Sequence, residues 1–216
     1  MPEFESLEIK TGEDLDHHVR RHMLDRLVML SDGVFAIAVT LAAIEIKVPD
    51  DLPTLRAVLD ATGVSLSAYL VSFMVIAVFW IANRDLFARL KRVDNVLTAL
   101  TLAMLCMVAL VPASTHMMGP HHEVTGSLRF YALTMTVAGV FGFAMWVYAS
   151  YRPGVMHEAV PRGFRADRSI SAAMVPLLFS ILLLIPTPRM LTAMIPVVLV
   201  IIIVRRVVVP RLIARK

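Results

Sequence analysis

Leu27-Val28-Met29-Leu30-Ser31-Asp32-Gly33-Val34-Phe35-Ala36-Ile37-Ala38-Val39-Thr40-Leu41-Ala42-Ala43-Ile44-Glu45-Ile46 decides what kind of chain this is. Asp32 is the one charge before Glu45. At about 1.5 Å per helical residue the run matches the ~30 Å hydrocarbon core of a bilayer. Further apolar runs follow along the chain: Val64 to Ala82, Val96 to Met118, Leu128 to Ser150, Ile170 to Ile185 and Leu191 to Val209. The fifth is short and carries Pro176, so a kinked or re-entrant segment is its alternative. The expected fold class is therefore all-α, a polytopic membrane protein with six transmembrane helices.

Composition agrees. The chain has 216 residues, 58% hydrophobic and 18% charged. Its mean hydropathy of +0.74 is well above that of a soluble domain. An isoelectric point near 9.6 invites a nucleic-acid reading, but the basic residues sit at the ends of apolar runs, where topology signals belong. No nucleic-acid partner is expected, since no solvated basic face is formed. Lys10, Arg20, Arg21 and Arg26 precede the first run; Arg84, Arg89, Lys91 and Arg92 follow the second; Arg152, Arg162, Arg165 and Arg168 follow the fourth; Arg205, Arg206, Arg211, Arg215 and Lys216 end the chain. These alternating segments hold 17 of the 21 Lys and Arg. The positive-inside bias places both termini in the cytoplasm, in a multi-pass protein of the cell membrane surrounded by lipid. Residues 1–26 read as a cytoplasmic N-terminal arm, 27–209 as the membrane domain and 210–216 as a basic tail. The arm has no early apolar core, so it is not a signal peptide, and Asp14 to Asp25 suggests an interfacial helix leading into the first span.

The first span carries most of the information. A carboxylate at the bilayer centre costs about 2.5–3.5 kcal/mol, and less toward the ends, so Asp32 reads as a site or a structural lock, with snorkelling or capping of a neighbouring helix as the alternative. Helical geometry at about 100° per residue puts Gly33, Ile37, Thr40 and Ile44 in one narrow stripe and Asp32 roughly 140° from Ile37. The stripe suits a narrow pore with a hydrophobic constriction, and it suits helix packing equally. On the residues alone packing is the better explanation.

The segment Arg26 to Asp32 resembles the Arg-x-x-x-Phe-Ser-Asp signature of the transmembrane protein 175 family, lysosomal-type potassium channels and their prokaryotic relatives. Gly33-Val34-Phe35-Ala36-Ile37-Ala38, Phe79-Trp80, the Arg-rich loop Arg84 to Asp94, and Pro112 through Thr115 are similar to the family too. The resemblance implies a potassium-selective, leak-type channel that lacks the Thr-Val-Gly-Tyr-Gly filter and whose pore is lined by the first helix of each subunit. A single repeat, as here, implies a homotetramer. It further implies that Ile37 and Ile44 form the pore constriction and that Thr40 acts in selectivity. Arg26, Ser31, Asp32, Trp80, Asn83 and Arg84 would form the signature motif and its inter-helix polar network. The permeating ion that the resemblance implies is potassium, and no cofactor is expected.

Two positions depart from the pattern. Leu30 replaces the motif phenylalanine, apolar for apolar. Asn83 stands where family members often have histidine; it can hydrogen-bond Asp32 but cannot titrate. Arg84 is another candidate partner for Asp32.

Other chemistry finds little support. His17, His18 and His22, and His116, His121 and His122, cluster without carboxylate or cysteine partners at metal-ligand spacing, so solvated histidines are expected. Cys106 reads as a small buried side chain. Gly139 and Gly142 read as close-packing positions. An enzyme would place several polar groups at one depth, and beyond Asp32 and Glu45 the spans offer almost none. The alternatives to a potassium channel are a secondary transporter, which would want paired broken helices, and a proton-permeable cation channel.

Overall fold

A computed structural model describes residues 12–44, 46, 53–117 and 124–184. Six helices follow in chain order: α1 (Gly12–Ile44), α2 (Leu55–Phe87), α3 (Asn95–Ala109), α4 (Val111–His116), α5 (Val124–Tyr151) and α6 (Arg162–Leu184). Pro112 near the start of α4 cannot donate a backbone bond, and the chain steps at Leu110, so α3 and α4 are one interrupted span. Five segments are long and apolar enough to cross a membrane: His22–Ile44, Ser65–Phe87, Asn95–His116, Thr125–Tyr151 and Arg162–Leu184. The expected sixth span, the basic tail, and His121 and His122 lie outside the described residues.

Helix ends follow local chemistry. Thr54 caps α2, its hydroxyl accepting from the Ala57 amide at 3.2 Å. Asp94 caps α3 by accepting from the Leu97 amide at 2.9 Å. From Glu13 to Arg26 the charged segment contains no glycine or proline, and α1 runs through it without interruption. The fifth expected span starts earlier than its apolar run, at Arg162, and Pro176 sits inside a continuous helix.

Packing is pairwise: α1 lies on α2, α3 and α4, α3 on α5, and α5 on α6. The α5–α6 seam is close because of Gly139. A Cβ there would meet Pro176 Cδ at 2.8 Å, so only glycine lets the proline ring approach. Between α2 and α4 a buried polar clasp joins Ser72 Oγ to Thr115 Oγ1 at 2.7 Å. The loops after α2 and α5 lie side by side. The Lys91 amide donates to the Val155 carbonyl at 2.8 Å, and the His157 amide to the Arg89 carbonyl at 3.1 Å. Gly154 turns there with φ of 75°, the left-handed region that favours glycine.

Cys106 corrects one expectation. It is exposed on the outer surface of α3 rather than buried. In a membrane helix the lipid-facing and core-facing sides are both apolar, so composition cannot tell them apart.

Candidate functional site: the outer face of α1 and its partner on α2

Helix α1 has two unlike faces. Leu27, Ser31, Phe35, Ala38 and Ala42 are buried against the rest of the subunit at steps of four, four, three and four. These steps trace one stripe of a helix. Gly33, Ala36, Ile37, Thr40 and Ile44 are exposed on another side, Ile37 at 58% and Ile44 at 73%. The stripe read from the sequence is thus a continuous surface that no other helix of the described chain covers.

Thr40 is the one polar side chain on that stripe. Its hydroxyl donates its single proton backward, within 3.1 Å of the Ala36 carbonyl and 3.0 Å of the Ile37 carbonyl. The oxygen therefore presents only lone pairs outward, which makes it an acceptor for a cation or a donor group.

Asp32 lies off the stripe; it is exposed, and it is tied to α2 of its own subunit. Trp80 of α2 donates its indole Nε1–H to Asp32 Oδ1 at 2.8 Å. The Arg84 guanidinium lies over the Trp80 ring, 5.1 Å from its centroid. Cation, ring and carboxylate thus form a chain in which the tryptophan joins the two charges. The same guanidinium also reaches Asp85 at 3.8 Å.

The remaining members of the expected network are placed differently. Ser31 is buried, but its hydroxyl donates to the Leu27 carbonyl at 2.8 Å, a bond within its own helix. Arg26 is exposed, and among the described residues no polar contact joins it to Ser31 or Asp32. Asn83 does not reach Asp32. It points into the subunit interior, 5% exposed, and its Oδ1 finds no hydrogen-bond partner among the described residues. Trp80, not Asn83 or Arg84, is the direct partner of the intramembrane carboxylate. The reason is rotational: at about 100° per residue, Asn83 sits some 60° round α2 from Trp80 and faces α3, α5 and α6.

A second polar assembly was not foreseen. Asp94 Oδ2 accepts from the Tyr148 hydroxyl at 2.6 Å, tying the start of α3 to the end of α5. Burial raises the Asp94 pKa. The Tyr148 bond, the Leu97 amide and the charges of Arg152 and Arg92 more than offset that and hold the carboxyl below its ordinary 3.8. Nearby, Arg89 and Arg168 both pack on the Phe164 ring, with centroid distances of 4.6 and 5.1 Å, and Arg168 reaches Asp85 at 3.7 Å. From the sequence Asp94 stood only as the end of the Arg-rich loop. Its tyrosine partner is 54 residues away. Among the described residues no group of three His, Cys, Asp or Glu is placed to hold a metal ion.

This is a polytopic α-helical membrane protein with an intramembrane carboxylate locked between its first two helices. Residues 26–112 match the family described as endosomal/lysosomal potassium channel TMEM175. A potassium channel of Chamaesiphon minutus is 31% identical over 63% of this chain and 71% of its own length. A potassium channel of Streptomyces collinus is 39% identical over 56% of this chain and 62% of its own length. The solved structure of a lysosomal potassium-selective channel TMEM175 homolog from Chamaesiphon minutus superposes with a TM-score of 0.65 at 24% identity. It covers 76% of this chain and 86% of that one, and bears on the fold alone. The chain belongs to the TMEM175 family.

Proposed function

We propose that this chain is one subunit of a homotetrameric, potassium-selective channel of the cell membrane, with both termini cytoplasmic and the pore lined by α1. What supports the reading is the division of α1 into one packed face and an uncovered stripe of Gly33, Ile37, Thr40 and Ile44 on which Thr40 carries the one side-chain oxygen. Four copies of Ile37 around an axis form an apolar ring. A narrow apolar ring expels water and blocks ions without any charge. Ile44 forms a second ring about two turns away, and Thr40 lies between them with its lone pairs free to contact a partly dehydrated cation. Asp32 holds α1 to α2 through Trp80 and takes no part in ion contact. Both relatives described above are named potassium channels, which favours potassium as the permeant ion.

Ile37→Asn tests the ring. If Ile37 gates, the polar side chain wets the constriction and single-channel conductance rises in planar bilayers, with some loss of selectivity. If Ile37 only packs against a neighbour or lipid, the variant assembles poorly and conductance of the surviving channels is unchanged.

A further inference from the structure

A half-open cavity of about 40 Å³ lies between α2, α3, α5 and α6, lined among others by Val78, Phe79, Asn83, Met104, Gly142 and Trp146. Its walls are mostly apolar, with polar atoms on Asn83 and the Trp146 indole. Asn83 is 5% exposed, and its Oδ1 is buried without a hydrogen-bond partner. Such an atom forfeits the interactions it had in water. A second acceptor lies nearby: Pro176 has no N–H to give the carbonyl of Ala172, which also lines the cavity.

The chemistry of the occupant follows from these walls. Asn83 Oδ1 and the Ala172 carbonyl both accept, so an occupant that donates a hydrogen bond answers them, while the Asn83 amide and the Trp146 indole supply N–H donors. No charged side chain is present, so it must be neutral. A water needs at least about 10–15 Å³, and the cavity is roughly three times that, which fits a body of about three non-hydrogen atoms. The rim at Ala82 is exposed and at Val78 half-buried, so a longer tail can leave toward the bilayer. Asn83 stands four residues from the end of the Ser65–Phe87 span, about 6 Å along the helix. That is the depth at which a small amphiphile resides.

We propose that this cavity is a binding site for a short-chain aliphatic alcohol or an amphiphile with such a headgroup, whose hydroxyl donates to Asn83 Oδ1 and whose alkyl body lies against Phe79, Met104 and Trp146. The site is separate from the outer face of α1 and does not depend on what passes through the protein.

The test uses the fluorescence of Trp146, one of only two tryptophans in the chain. The full protein in detergent is titrated with 2-bromoethanol, whose bromine quenches indole on contact. The expected result is a saturable component above a linear background, lost in Trp146→Phe. Bromoethane, which lacks the hydroxyl, should give the linear part alone. Asn83→Leu keeps the size and removes the acceptor, and should weaken the saturable phase roughly threefold to tenfold, one neutral hydrogen bond. Gly142→Ala guards against misfolding as the explanation. Its new Cβ would sit 3.8 Å from Met104 Sδ, an ordinary contact, so the fold is kept while the cavity shrinks and binding weakens. Purely linear quenching by 2-bromoethanol, equal saturation by bromoethane, or saturation undiminished in both Asn83→Leu and Gly142→Ala would each overturn the proposal.

Discussion

Replacing Trp80 by phenylalanine removes the indole N–H and also shrinks the ring beneath Arg84, so the double-variant comparison below isolates the hydrogen bond. The donor lies 2.8 Å from Asp32 Oδ1. Asp32 stands ten residues inside the His22–Ile44 span, about 15 Å along the helix. A carboxylate left there without its donor loses a charge-assisted hydrogen bond, worth about 1.5–3 kcal/mol. For a chain of this size, that corresponds to a drop in melting temperature of about 3–12 °C. Asp32→Asn should cost less, because the amide oxygen still accepts from the indole and the charge no longer needs solvation. Asp32→Ala should weaken folding or assembly before it alters selectivity, since the carboxylate faces α2 and not the Ile37–Thr40 stripe. The assay is thermal denaturation of the purified protein, followed by size-exclusion chromatography, on Trp80→Phe, Asp32→Ala and the double variant. The account predicts that the double variant is little worse than the poorer single one, a coupling of about 1 kcal/mol or more. Losses that add to within about 0.5 kcal/mol would show that the two side chains act independently and refute the lock.

Three further outcomes follow from the packing. Asn83→Leu, in protein free of alcohol, replaces an unpartnered buried oxygen by hydrocarbon and should raise the melting temperature, by up to about 1–3 kcal/mol of stability; a clear loss would mean the oxygen has a partner. Gly139→Ala and Gly142→Ala should have opposite signs in the same assay. The first forces a Cβ to 2.8 Å from the Pro176 ring and should destabilise by about 1–3 kcal/mol, while the second meets only an ordinary contact and gains about 0.5–1 kcal/mol of helix propensity. Asp94 sets an acid limit. Its folded pKa lies below the ordinary 3.8, so its contribution is complete above that pH and is lost as pH falls through the lowered folded value. Asp94→Asn should keep the helix cap, lower stability at neutral pH by about 1 kcal/mol or less in this partly solvated site, and flatten the pH dependence below about 4. An unchanged acid profile would remove Asp94 from that role.

Much of this was legible in the order of residues. The length of the run after Leu27 gave a span, and the angular arithmetic that grouped Gly33, Ile37, Thr40 and Ile44 anticipated the uncovered face of α1. Gly139 was readable as a close approach because a missing side chain has few other uses in the middle of a span. Trp80, Asn83 and Arg84 were all named, yet which of them meets Asp32 was not decidable. That choice depends on the rotation of α2 about its axis, which is set by packing against three other helices. Helix starts moved for local reasons. Thr54 caps α2 at Leu55 and α6 begins at Arg162, both ahead of the apolar runs, because hydropathy sees only where apolar residues begin. Cys106 was misplaced because an apolar side chain is equally at home facing lipid or core. The Asp94–Tyr148 bond and the Asn83 cavity depend on contacts between distant segments, and no local pattern carries them.

The most direct test of the channel reading is the reversal potential of purified, assembled protein in planar bilayers under opposed potassium and sodium gradients. The account predicts that the wild-type current reverses close to the potassium equilibrium potential. Thr40→Val removes the outward oxygen at nearly constant shape and should shift the reversal toward zero with assembly intact. A wild-type current that does not distinguish the two ions would contradict potassium selectivity, and an unshifted reversal in assembled Thr40→Val would remove Thr40 from the filter.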